Sequence, residues 1–159
     1  MKKLIELLEA TPELTMDEIA TILAITPEEV AANIEKLRKD GIIRGRKFII
    51  NKEKLGDKSV SALIELKVTP KSTLGFDDIA GKIAAFPEVQ GVYLMSGGFD
   101  IAVNITCETF EEVAMFVAKR LSPLDSIVST ATHFILRRYK ELGVKLIDTD
   151  KDDRGIVSL

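Results

Sequence analysis

The chain has no tryptophan, one cysteine (Cys107) and one histidine (His133). A lone cysteine cannot close an internal disulfide, which fits a reducing compartment. One histidine with one cysteine leaves almost no route to a His/Cys metal site within a single chain. No apolar run reaches membrane-spanning length, and acidic residues interrupt the apolar positions of Met1-Lys-Lys-Leu-Ile-Glu-Leu-Leu too early for a signal peptide. The expectation is a cytoplasmic protein with no membrane contact. Walker loops, GxGxxG, GxSxG and HExxH are all missing. The reading therefore starts away from enzymes, with no catalytic residue, metal or cofactor expected.

What the sequence holds is two differently patterned halves. Its 159 residues, 30% charged with a formal net charge of −3, can bury a modest core as one domain or two small ones. Residues 1–50 read as a winged helix-turn-helix. Leu4, Ile5, Leu7 and Leu8 give a short amphipathic helix ending near Thr11-Pro12. Thr15-Met-Asp-Glu18 and Thr26-Pro-Glu-Glu29 each have capping-box spacing, the second with proline at the first helical position. Val30, Ile34 and Leu37 continue the apolar stripe to Asp40-Gly41, a glycine helix stop. Two such helices around Leu23-Ala24-Ile25 make a helix-turn-helix. Ile42 to Ile50 then reads as two short strands around Arg44-Gly45-Arg46-Lys47, a wing.

Charge is uneven in this half. Glu28 and Glu29 open the second helix of the motif, while Lys36, Arg38, Lys39, Arg44, Arg46 and Lys47 gather at its end and beyond. The glutamates suit the positive end of the helix dipole but would face phosphates unfavourably. Double-stranded DNA is thus expected to meet the basic wing and far end of the helix. Thr26, Ala31, Asn33 and Lys36 are the candidate helix contacts, and Arg44, Arg46 and Lys47 the candidate wing contacts.

Residues 51–59 are polar and read as a linker, and 148–159 as a charged tail. Between them, 60–147 gives β-α-β-β-α-β. An alternating strand spans Val60 to Val68, and a helix carries Phe76, Ile79, Ala80, Ile83 and Ala84. A hairpin runs from Val89 to Thr106, and Thr109-Phe-Glu-Glu112 opens a second helix with Phe110, Val113, Ala114, Val117 and Leu121 inward. A long strand runs from Ile127 to Tyr139, and Val144 to Ile147 offers a short edge strand. This order folds as a four-stranded antiparallel sheet with both helices on one face, so the fold class is α+β.

The hairpin turns at Gly97-Gly98, expected as a tight turn with positive φ at both glycines. That pairs Leu94 with Ile101 and Val92 with Val103, all apolar and all on one face. The other face, carrying Leu63, Tyr93, Met95, Ala102 and Asn104, is only half apolar and is expected to meet another subunit. At the mouth of the hairpin, Ser96, Gly97, Gly98, Phe99 and Asp100 form a compact cluster that suits a small zwitterion. Glycine amides would face its carboxylate and Asp100 its ammonium. Asp100 capping the hairpin through local backbone bonds is the other reading of that residue.

Leu37-Arg-Lys-Asp-Gly-Ile-Ile43 with Gly45, Leu55-Gly56, and Val89 through Gly97-Gly-Phe-Asp100 resemble the leucine-responsive/asparagine-synthesis (Lrp/AsnC) regulator family over nearly the whole chain. Asn33 stands where that pattern usually places an arginine, and the first helix is shorter. The resemblance implies a transcription regulator with a winged helix-turn-helix and a ferredoxin-like effector domain. It further implies sheets paired face to face in a homodimer, higher even-numbered oligomers, and an amino-acid-like effector at the glycine-x-aromatic-aspartate loop where dimers meet. Two alternatives share this architecture: an enzyme similar to siroheme decarboxylases, which would need His133 as an acid or base, and an amino-acid sensor that does not bind DNA.

Overall fold

The computed structural model of the chain describes residues 1–69 and 75–148. It divides into two compact units, Met1–Phe48 and a second beginning at Ile49.

In the first unit the two threonine signals act as the spacing predicts. Thr15 and Thr26 accept from the amides of Glu18 and Glu29 at 3.3 and 3.2 Å, and each glutamate returns its carboxylate to the threonine amide at 2.8 Å. The Thr15 amide and, at 2.9 Å, the Thr15 hydroxyl both donate to the Glu18 carboxylate and hold it below its ordinary pKa. These caps start α2 (Met16–Leu23) and α3 (Pro27–Lys39), which pack with α1 (Lys2–Ala10) around Leu4, Ile19, Ala20, Val30, Ile34 and Leu37. The turn between α2 and α3 places Ala24 in the left-handed region at φ 54°, a conformation glycine adopts more cheaply. Past α3, Gly41 at φ 69° lets the Ile42 amide reach the Leu37 carbonyl at 2.9 Å.

The expected wing strands are not found: Ile43 to Ile50 carries no strand pairing. Ile43 alone in this stretch packs on the unit's core, and Phe48 is 91% exposed. Phe48 and Ile50 are left unburied, and an isolated two-stranded hairpin does not hold itself together in water.

The second unit opens with the stretch expected as linker, which is instead a capped helical turn. Asn51 Oδ1 accepts from the Lys54 amide at 3.1 Å at the start of α4 (Lys52–Leu55), and Gly56 ends it at φ 74°. Asn51 Nδ2 donates to the Leu146 carbonyl at 2.7 Å, Arg137 Nε reaches Glu53 at 3.2 Å and Lys54 Nζ reaches Asp148 at 2.7 Å. The turn is thus tied to the C-terminal stretch. Apart from Asp148, the expected charged tail lies outside the described residues.

The sheet is β1 (Val60–Val68), β2 (Val89–Leu94), β3 (Ile101–Cys107) and β4 (Ile127–Ile135), antiparallel in the order β2-β3-β1-β4. Alternation decides its faces. Ala62, Ile64, Leu66 and Val68 with Ile101, Val103, Ile105 and Cys107 bury against α5 (Phe76–Ala84) and α6 (Phe110–Phe116). β4 stops short of the expected Tyr139. The chain then turns through Leu142 and Gly143, both at positive φ, into a separate ribbon of β5 (Lys140–Glu141) and β6 (Val144–Lys145) rather than an added edge strand.

The helix after β3 also departs from a plain 3.6-residue reading. Within α6, Val113 and Phe116 are buried while Phe110 and Ala114 are exposed, and the π-helical turn that follows, Val117–Leu121, leaves Val117 half-buried and brings Leu121 back to the Phe116 face. Its cap is half of the expected box. Thr109 accepts from the Glu112 amide at 3.1 Å, but the Glu112 carboxylate takes the Glu108 amide at 2.8 Å.

Candidate functional site

On α3 the buried positions Val30, Ile34 and Leu37 fix what can face outward. With about 100° between successive residues, the stripe opposite them is Glu28, Ala32, Glu35 and Lys39. Ala31 and Asn33 are separated by about 200°, so they lie on opposite flanks and cannot share one groove-facing side as expected. Lys39, part of the basic cluster in the sequence but not among the candidate contacts, is placed on this outward stripe by a helical projection from the three core residues. Thr26 is engaged as the helix cap, and Glu29 turns back onto it. Glu35 faces Arg38 at 3.7 Å with both side chains more than half exposed, a contact of little energetic weight. Lys36, Arg44, Arg46 and Lys47 are exposed as expected. With Lys39 they are exposed cations at the far end of the helix and beyond it, and among the described residues none of them is in an ion pair.

In the second unit the hairpin register agrees with the sequence: Leu94 pairs with Ile101, Tyr93 with Ala102 and Val92 with Val103. The turn does not. Gly97 is nearly extended at φ 158° and Gly98 is not at positive φ, so the connection is a wider loop closed by the Met95 amide on the Asp100 carbonyl at 2.8 Å. A Cβ on either glycine would meet nothing within 4 Å. Asp100 is the fixed point of the loop. Its amide donates to the Leu66 carbonyl at 2.9 Å, and its Oδ2 accepts from the Val68 amide at 2.7 Å. One carboxylate oxygen is therefore committed to β1, a long-range anchor rather than the local hairpin cap weighed as the other reading, and the second oxygen accepts no hydrogen bond among the described residues. Among the described residues no hydrogen bond uses the amides of Gly97 or Gly98, and Ser96, Gly97 and Gly98 are exposed.

The sheet face away from the helices brings Leu63, Tyr93, Ala102 and Asn104 together by register. Met95, 42% exposed, follows Tyr93 on the same side of the hairpin. Tyr93, 53% exposed, lies over Gly91, where a Cβ would come within 2.7 Å of its hydroxyl. His133 is on this face opposite Leu63, with Nε2 3.3 Å from Glu65. Cys107 is buried, and burial, followed by the carboxylates of Glu112 and Glu88, raises its thiol pKa, which disfavours the nucleophilic thiolate. Among the described residues no group of three or more His, Cys, Asp or Glu could hold a metal ion, and no helix is long and apolar enough to cross a membrane.

Comparison with known proteins places these two units. Residues 1–44 match the model of a winged helix-turn-helix DNA-binding domain, and residues 61–144 that of an Lrp/AsnC ligand-binding domain. The chain is 42% identical over 156 residues to the HTH-type transcriptional regulator YugG of Bacillus subtilis, spanning 98% of this chain and 93% of that one. Among solved structures, B. subtilis LrpC aligns with a TM-score of 0.61 at 26% identity, over 93% of this chain and 94% of that one. A transcriptional regulator of Neisseria meningitidis, solved as an L-Met complex, shares the fold with a TM-score of 0.66 at 20% identity, over 87% and 89% of the two chains. A capped helix-turn-helix followed by a ferredoxin-like sheet, matched along both halves, makes this chain a member of the Lrp/AsnC family of transcription regulators.

Proposed function

We propose that the protein binds double-stranded DNA chiefly through phosphate contacts from Lys36, Arg44, Arg46 and Lys47, and that a small amino-acid-like effector at Ser96–Asp100 modulates that binding. The observation that carries the effector half is the pair of exposed glycine amides beside a fixed carboxylate. That arrangement offers donors to a carboxylate and one free oxygen to an ammonium. The regulator solved with L-Met supports the ligand class. In a single chain the loop is an open ledge, so the effector would be enclosed where dimers meet. The chain works in the cytoplasm and is not an enzyme on this reading. The siroheme alternative would rest on His133, which faces Glu65 on the open sheet. The decisive experiment is the mobility of the protein on its own upstream DNA with each of the twenty amino acids added in turn. A shift altered by one or a few of them is expected, and no DNA binding under any condition would leave the sensor reading instead.

The open sheet face pairs with that of a second copy. Tyr93 and Met95, beside the half-buried Leu63, give it apolar area that monomers seldom leave bare. Light scattering at micromolar concentration should show an even multiple of 17.5 kDa. Tyr93→Glu should lower the mass, and a 17.5 kDa particle from the unmodified chain would refute the pairing.

A further inference from the structure

The first unit holds an open cleft of about 710 Å³ between α1, α2, α3 and the segment after α3, within the range of small-molecule sites. Its floor is apolar: Leu8, Leu14, Met16, Ile34 and Ile42 line it, and Met16 and Ile42 are 45% and 58% exposed. Its rim is cationic, with Arg38, Arg44 and Arg46 against a single acid, Glu9. An apolar trough with guanidinium groups at its edge matches an aliphatic chain ending in a carboxylate, because the chain removes bare apolar surface from water and guanidinium binds carboxylate in a bidentate fork. A zwitterionic amino acid fits less well, since only Glu9 could answer its ammonium. We infer that this cleft is a second ligand site, in the DNA-binding unit itself, for a medium-chain aliphatic carboxylate. A carboxylate there would neutralise Arg44 and Arg46 and so weaken DNA binding; that consequence, unlike the site, rests on their assignment as phosphate contacts.

Decanoate, kept below its micelle concentration, is the probe, read by thermal shift and titration calorimetry on the full chain without DNA. Saturable stabilisation is expected from decanoate and not from acetate, with decanol about tenfold to a hundredfold weaker and affinity rising about fourfold per methylene from hexanoate to decanoate. Arg38→Gln with Arg44→Gln should weaken decanoate about tenfold to a hundredfold. Met16→Gln with Ile42→Gln changes two exposed side chains and should flatten the chain-length series while the protein stays folded. No saturable response at any chain length, or a response unchanged in both double variants, overturns the site. So does self-association of the unmodified chain that is lost in the Met16→Gln, Ile42→Gln protein, which would make the cleft a seat for a second copy. DNA mobility is measured separately. Decanoate binding without DNA binding would sink the phosphate-contact assignment and leave the site standing, and DNA binding without decanoate binding would do the reverse.

Discussion

Replacing Arg44, Arg46 and Lys47 together by alanine is expected to flatten the plot of log DNA affinity against log salt by nearly three units. Each phosphate contact releases counterions and contributes about 0.9 to that slope on duplex DNA. Between 50 and 200 mM salt the difference compounds to about fortyfold, so the variant should look much less impaired at high salt than at low. The three side chains are exposed and belong to no strand pairing or buried cluster, so the first unit should stay folded. Glu28→Gln is the counterpart. It lies on the outward stripe of α3 and, unlike Glu29, is not drawn into the cap, so removing its charge should strengthen DNA binding modestly. An unchanged salt slope in the triple variant would mean that the basic segment after α3 does not meet the phosphate backbone.

What the sequence revealed of this fold was whatever short-range chemistry encodes. Thr15/Glu18 and Thr26/Glu29 declare two helix starts because the reciprocal bonds lie within four residues. The hairpin register was legible because apolar alternation leaves one pairing that buries Ile101 and Val103. The failures came where distant or irregular geometry decides. The glycine pair suggested a two-residue turn, but Asp100 anchors the loop to β1 through Leu66 and Val68, contacts no local pattern announces. The wing has apolar residues, but Ile42, Phe48 and Ile50 stay exposed and only Ile43 packs on the core, a lack of tertiary burial that the sequence does not announce. Phe116 escaped as a core residue because a π-helical turn sets a spacing of five between it and Leu121. The linker hid a helical turn whose Asn51 cap and Gly56 stop were readable, but whose ties to Leu146 and Asp148 were not.

Asp100→Ala and Asp100→Asn should separate the two roles of the carboxylate that anchors the effector loop. Alanine removes the acceptor of the Val68 amide, and Val68 is only 7% exposed, so water cannot readily replace it. An orphaned buried donor costs about 1–3 kcal/mol. In a domain of this size each kcal/mol lowers the melting temperature by about 4–8 °C. Asparagine keeps an oxygen for the same amide but carries no charge, so the melting temperature should fall by much less. Amino-acid binding should nevertheless weaken about tenfold to a hundredfold, the usual loss for a charge-assisted hydrogen bond. Gly98→Ala is the control. That backbone is not at positive φ and a Cβ there meets nothing within 4 Å, so stability should hold while any ligand contact made by the amide survives. Full effector affinity in Asp100→Asn would confine Asp100 to holding the loop on β1, and the ammonium partner would have to be sought on a neighbouring subunit.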